Sequence, residues 1–407
     1  MEQTGSRTRG FTFIELMVSM ALGMIVVGAA VKLYSQGVDA TWVISQRAEM
    51  QQNLRATENL LLRDISLAGA GLTGVPGESV TLPSAEASPI YGCDQTRTAA
   101  GCLPVGGVNY PSIPAGSSPT LYPIMSGYGL GITPPGAVIS GTGKTDLITV
   151  VYSDITLALN CYTATFTAPG NSITFTAPPN NPLPTTCVLP AGLAYPQAVN
   201  DAVVGLTPGD ILLLSTPLGY AVGEVTSVVG PAGAPAPGSA YVVGFADGDP
   251  LNLNQNGQPN DLTQVSGFAS APPAGVAGSI ANRLLVITYY LQNIPDPTGQ
   301  TAGITILYRQ VNGHTAVPVT DNVVNMQFTY DTYDTAGDLL SQLGDPTQGS
   351  TVAPNVIRKV NIAHLTIHSQ LDGARSLLMA TKGYQAYDVQ TSMSARNLSY
   401  NNRYSFH

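Results

Sequence analysis

The segment FTFIELMVSMALGMIVVGAA, from Phe11 to Ala30, is apolar apart from Glu15 and a few small hydroxyl residues, and the polar, basic decapeptide MEQTGSRTRG precedes it. A helix rises about 1.5 Å per residue and a bilayer core is about 30 Å thick, so this run is long enough to cross a membrane. Arg7 and Arg9 lie just before it, which predicts a cytoplasmic N-terminus and export of everything that follows. A secretory signal would have a shorter apolar core and a small-residue cleavage site after it. No such break is seen here.

Downstream of Lys32 the sequence stays free of proline until Pro76. Val38, Trp42, Met50, Leu54, Leu61 and Ile65 recur mostly at multiples of three or four, the period of a helix face. One long helix is predicted, apolar all round in its first half and amphipathic in its second, with the second half packed on a globular body. The organisation expected is a leader over 1–10, a helix over 11–72 with its membrane part at 11–31, and a β-rich body over 73–407.

Glu15 is not explained by a simple anchor. A carboxylate in an apolar segment costs a few kcal/mol, so it needs a partner. Cleavage between Gly10 and Phe11 would create an α-amino group four residues before it. In a stack of identical or related helices, the Glu15 carboxylate of one chain pairs with the Phe11 amine of its neighbour, which explains the charge and sets a register.

The stretch Arg9-Gly10-Phe11-Thr12-Phe13-Ile14-Glu15-Leu16 resembles the class III signal of type IV pilins and type II secretion pseudopilins. The resemblance implies cleavage after Gly10 by a prepilin peptidase, N-methylation of Phe11, and an assembly role for Glu15. The helix exit LLLRDISLAGAGLTG (Leu60 to Gly74) is similar to that of PilW-type minor pilins. Softer similarity continues through TDLITVVY, GDILLLS, LLVITYYL, ILYR, VVNMQFTYD and IRKVNIAHLTIHS. It implies a subunit that helps initiate or cap a pilus, with other pilins, minor pilins and the inner-membrane assembly platform as partners and membrane lipid around residues 11–31. The implied location is the inner membrane, with the body periplasmic, and the pilus surface after assembly. Lys32 stands where many major pilins carry a kinking proline, so a straighter helix is expected. The chain is also long for the family.

Only 10% of the residues are charged, against roughly a quarter in ordinary soluble domains, while the chain contains 43 Gly and 31 Pro. That composition suits a secreted β-rich body. A net charge of −9 argues against a nucleic-acid surface. Four cysteines, Cys93, Cys102, Cys161 and Cys187, suit two disulfides in an oxidising compartment. Pairing Cys93 with Cys102 and Cys161 with Cys187 closes short loops, and the other two connectivities stay open.

From Thr73 onward, short β-rich runs alternate with Pro and Gly turn signals, which predicts an antiparallel assembly and an α+β fold overall. In VVNMQFTYD, Val324, Met326, Phe328 and Tyr330 alternate with Asn325, Gln327 and Thr329, the pattern of a strand with one buried face. LLVITYYL is apolar or aromatic on both faces, as in a strand covered on both sides, with the long helix a natural cover. Residues 73–140 and 168–200 read as loops or an elaborated lobe.

GTGKT, Gly141 to Thr145, lacks the first glycine of a phosphate loop and precedes its strand, so it reads as a turn. In DGDPLNLNQNGQPND, Asn252, Asn254, Asn256 and Gly257 follow the spacing of a calcium loop, but Thr263 replaces the bidentate Glu. Asp247, Asp249 or Asp261 would supply the missing charge for a weak calcium site, the one cofactor weighed; a solvated Asn/Gly turn is the competing reading. His364 and His368 lie on a strand-like run, where about 13 Å separates them, too far for a shared metal. Without a nucleophile elbow or a recognisable acid and base pair, no enzyme is expected. Two further roles are weighed: a tip-exposed adhesin, motivated by the size of the body, and a type II secretion pseudopilin, which shares every N-terminal feature.

Overall fold

The computed structural model describes residues 10–72, 79–83, 119–135, 139, 143–154, 156–167, 171–180, 182–185, 187–216, 219–262, 280–295, 303–333, 339–346, 357–369, 386–395 and 397–398. The leader before Gly10, as well as Cys93 and Cys102, lies outside them.

The proline-free N-terminal sequence forms one uninterrupted helix, α1 (Phe13–Leu67), of 55 residues, or about 80 Å at ~1.5 Å per residue. Lys32 passes through it without a break. The chain divides into two compact units, Met1–Asn53 with His368–Tyr387, and Leu54–Ile367 with Asp388–His407. In the first unit the helix is almost wholly exposed, including Val38 (50%) and Trp42 (44%). The amphipathic stripe therefore starts later than its spacing predicts, at Met50. In the second unit Leu54, Leu61 and Ile65 are buried, each worth about 1.5–3 kcal/mol of transfer free energy.

Strands follow in the order β1 (Val80–Thr81), β2 (Thr120–Leu121), β3 (Ile124–Gly127), β4 (Leu147–Asp154), β5 (Thr163–Thr167), β6 (Ser172–Thr176), β7 (Ile211–Thr216), β8 (Gly219–Glu224) and β9 (Ser227–Val229). The remainder are β10 (Ala240–Gly244), β11 (Ile280–Ile294), β12 (Ile304–Val311), β13 (Val317–Asp321), β14 (Val323–Tyr333), β15 (Leu339–Leu343), β16 (Ile357–His368) and β17 (Ala386–Ser394). The result is the α+β fold expected from the sequence. The main sheet is antiparallel, ordered β13-β12-β11-β4-β3, with the β7-β8 hairpin also joined to β11. Two four-stranded sheets, β5-β6-β10-β9 and β15-β14-β16-β17, complete the body with the small β1-β2 pair.

β11 is long because it pairs with β7 through its first residues and with β12 through its last. Between those partners Asn312 fills the gap: its Oδ1 accepts from Val286 N–H at 2.8 Å and its Nδ2 donates to Leu284 O at 3.0 Å. LLVITYYL lies within β11 and is covered on both faces. Leu284, Val286 and Tyr290 join a core with Leu147, Val151 and Leu213, and Tyr290 stacks on Tyr308 at 5.6 Å. Tyr289, on the other face, hydrogen-bonds to Asp64 near the end of α1. In β14, Met326, Phe328 and Tyr330 are buried as the alternation predicts, but Val323 and Asn325 are buried in place of Val324. A bulge against β16 between Val323 and Asn325 resets the phase.

The helix exit is stitched to β4. Gly69 N–H donates to Val151 O at 2.9 Å and Ser153 N–H to Ala70 O at 2.7 Å. Gly71 sits at φ +74°, and a Cβ there would lie 2.4 Å from the Cβ of Ser153, so both conformation and space call for glycine.

Candidate processing and assembly site

Gly10 and Phe11 precede α1 and are exposed, Phe11 to 88%. Beyond its own chain neighbours, no described atom lies within 4 Å of where a Gly10 Cβ would be. The described structure itself therefore places no steric demand for glycine there. From Phe13 the helix is long and apolar enough to cross a membrane by length and composition, and none of its most apolar window is buried in the chain.

Glu15 has a partner in its own first turn. Thr12 N–H and Thr12 Oγ1 both donate to Glu15 Oε2 at 2.9 Å, and Glu15 N–H reaches Thr12 Oγ1 at 3.4 Å. Thr12 is the residue before the helix and Glu15 its third position, so the two form a reciprocal capping box. The carboxylate also lies at the positive end of the helix dipole. The spacing Thr12-x-x-Glu15 signals this local partner, in addition to the neighbouring chain's amine expected from the charge alone.

At the other end of α1, Asp64 is buried, with 1% of its side chain exposed. Tyr152 of β4 donates to Oδ1 at 3.2 Å, Tyr289 of β11 to Oδ2 at 2.7 Å, and Arg309 of β12 to Oδ2 through Nε at 2.8 Å. Burial and then the Asp64 charge push the Tyr152 hydroxyl up to about 12 and raise Tyr289 as well, so both remain donors. Burial alone would lower Arg309, but the hydrogen bond and charge of Asp64 outweigh it and hold the guanidinium charged. This cluster fixes the last turns of the helix to three strands of the main sheet. The Arg63-Asp64 pair, LLVITYYL and ILYR each stood out in the sequence, but nothing local connected them.

In the Asp247–Asp261 segment, acceptor oxygens engage nearby amides. Asp247 Oδ1 takes Asn256 N–H at 2.9 Å, while Asp249 takes Leu253 and Asn254 N–H at 2.8 Å each. Asp261 Oδ2 accepts from Gly257 N–H. Asn254 faces inward, taking Glu224 N–H at 3.0 Å and donating to Glu224 O at 2.7 Å, and Asn252 adopts φ +55°. These bonds organise a closed turn, and no group of three or more His, Cys, Asp or Glu side chains suited to a metal occurs among the described residues.

Cys161 and Cys187 form a disulfide within the core around β5, β6 and β10. Gly143 and Lys144 form a bend leading into β4, and Gly141 and Thr142 of GTGKT lie outside the described residues. His364 lies on β16, with Nδ1 2.9 Å from Asp388 Oδ2, while His368 Nδ1 lies 2.7 Å from Ser369 O. The two histidines have separate partners.

Residues 5–31 match a family model described as the prokaryotic N-terminal methylation motif. No match to the chain was found among curated proteins or among solved structures. The matched segment contains Gly10, Phe11, Thr12 and Glu15, and the chain thus carries a class III signal of the type IV pilin-like kind.

Proposed function

We propose that this chain is a minor pilin of a type IV pilus, most similar to the PilW type. It is cut between Gly10 and Phe11 by prepilin peptidase, N-methylated on Phe11 and held in the inner membrane through residues 11–31 with its body in the periplasm. It then joins other pilins on the assembly platform by stacking its helix with theirs. The observation that carries this reading is a lone carboxylate, Glu15, in the otherwise apolar and exposed first part of α1, residues 13–31, just after Gly10-Phe11. An apolar surface of that extent calls for lipid or other helices as its cover.

The capping box gives Glu15 a partner while the subunit is stored in lipid, where an unpaired carboxylate is costly. In the assembled stack the Phe11 amine of a neighbour competes for the same oxygens with a full positive charge, a stronger hydrogen bond than a neutral donor makes. The role is one of assembly, not catalysis. The exposed surroundings of Gly10 support a requirement imposed by a peptidase.

Intact mass and N-terminal sequencing, on protein from cells with and without the prepilin peptidase, test the proposal. A peptidase-dependent N-methyl-Phe11 terminus is expected, and Gly10→Val is expected to abolish it. Normal maturation of that variant would overturn the reading. Recovery of the mature chain with a secretion system in place of a pilus would support the pseudopilin assignment.

A further inference from the structure

Outside the helix, the described body has a cleft of about 840 Å3 between the 195–202 segment and the 232–235 loop, with Asn180 on its rim. That volume lies within the range of about 300–1,000 Å3 typical of small-molecule sites. Five polar or aromatic side chains line it, namely Asn180, Tyr195, Gln197, Asn200 and Asp201, and the rest is mostly Ala and Pro. No Lys, Arg or His is present among its described lining residues.

The walls are fixed in advance. Tyr162 donates to Gln197 O at 2.6 Å, and Asn200 Nδ2 donates to Pro231 O at 3.1 Å, tying one wall to the base of the other. Asp201 Oδ1 accepts from Val203 and Val204 N–H at 2.8 and 3.1 Å. Those two bonds lower the Asp201 pKa and keep it a carboxylate. Preorganised walls reduce the ordering cost of binding.

The groups left over define the ligand. The Tyr195 hydroxyl is engaged by Pro178 O at 2.5 Å, so its ring is what it offers the cleft. Asn180 and Gln197 have no side-chain hydrogen bond among the described residues, and Asp201 Oδ2 accepts none. Carboxamides both donate and accept, and a carboxylate only accepts. An aromatic face, amides and one acceptor, without a cation, match a molecule with C–H faces and many neutral hydroxyls. They disfavour phosphates, sulfates and other anions, as does the net charge of −9.

We infer that this cleft is a binding site for neutral carbohydrate. It gives the binding-module role a location and a ligand class, yet it concerns the body alone and holds whether or not the subunit reaches a filament.

The test uses the full-length protein in a zwitterionic detergent without a sugar headgroup, applied to an array of neutral hexose and N-acetylhexosamine oligosaccharides beside sialylated and sulfated ones. Neutral oligosaccharides are expected to bind and acidic ones not. Ala232→Trp fills the cleft from an exposed position and should weaken the best neutral hit at least ten-fold with an unchanged melting temperature. Asp201→Asn keeps the acceptor for Val203 and Val204 but converts the free one to a donor, and should weaken that hit several-fold. Absence of any neutral hit, or equal binding by Ala232→Trp, would overturn the inference. Because binding is read on purified protein, failure of the pilin reading would show separately, as an uncut N-terminus.

Discussion

The two ends of α1 each hold a carboxylate in apolar surroundings and satisfy it in opposite ways. Glu15 is met by Thr12, three residues away, whereas Asp64 is met by Tyr152, Tyr289 and Arg309, which are 88, 225 and 245 residues away. The local solution asks nothing of the body and leaves the apolar surface around Glu15 open to other chains. The distant one joins the helix to three strands and makes its last turns part of the core.

The contrast breaks most sharply at Arg309. Replacing it with Met leaves Asp64 buried without its counter-charge, which typically costs about 3–5 kcal/mol. Denaturant unfolding of the full chain in micelles should show that loss, and a change below about 1 kcal/mol would mean that the pair does not hold the helix.

Another buried carboxylate, Asp146, sharpens the comparison through pH. Asp146 takes Gly129 N–H at 2.7 Å and Phe328 N–H at 2.8 Å, yet burial outweighs these bonds and raises its pKa to about 6. The folded state thus holds this proton more tightly than the unfolded one. Its stabilising contribution is full below the ordinary aspartate value of about 3.9 and disappears as pH rises through about 6. The expected size is about 3 kcal/mol. Asp210 and Asp388 shift downward and act in the opposite direction, so the measurement is the difference in pH slope between wild type and Asp146→Asn over that window. Parallel slopes would remove the assignment.

Tyr289→Phe removes one donor to Asp64 but keeps the ring and the ion pair. A loss of about 1.5 kcal/mol is expected by the same unfolding assay, since the bond is to a charged group. The smallest effect belongs to Thr12→Ala, which should cost about 1 kcal/mol or less of first-turn helix stability. Hydrogen exchange at Phe13 to Leu16 should accelerate while the melting of the body stays put. A body destabilised as much as by Arg309→Met would erase the distinction between the two ends.

The same split explains what the sequence made legible. The helix was readable because proline is missing from one long stretch, and β11 because both its faces are apolar. The buried side of β14 was readable from Met326 onward, but not at Val324, since a bulge leaves no mark on hydrophobic alternation. The capping box was written in the Thr12-x-x-Glu15 spacing. The Asp64 cluster was not written anywhere locally, because its members meet only after β4, β11 and β12 have paired. The late start of helix burial was hidden for a related reason: Val38 and Trp42 continue the stripe that Leu61 and Ile65 bury, and spacing alone does not say where a cover begins.

The stitch between the helix exit and β4 also decides how the body bears tension. β4 is an interior strand, between β11 and β3; the Gly69–Val151 and Ser153–Ala70 main-chain bonds reach it, while the Asp64–Arg309 pair reaches β12 on the far side of β11. A pull arriving through α1 is thereby divided among parallel links into the middle of a sheet, in place of an edge hairpin that would unzip link by link. Extraction of such a subunit from a bilayer by its helix should leave the body folded, and force spectroscopy on Arg309→Met should show that strength falling with the loss of one link.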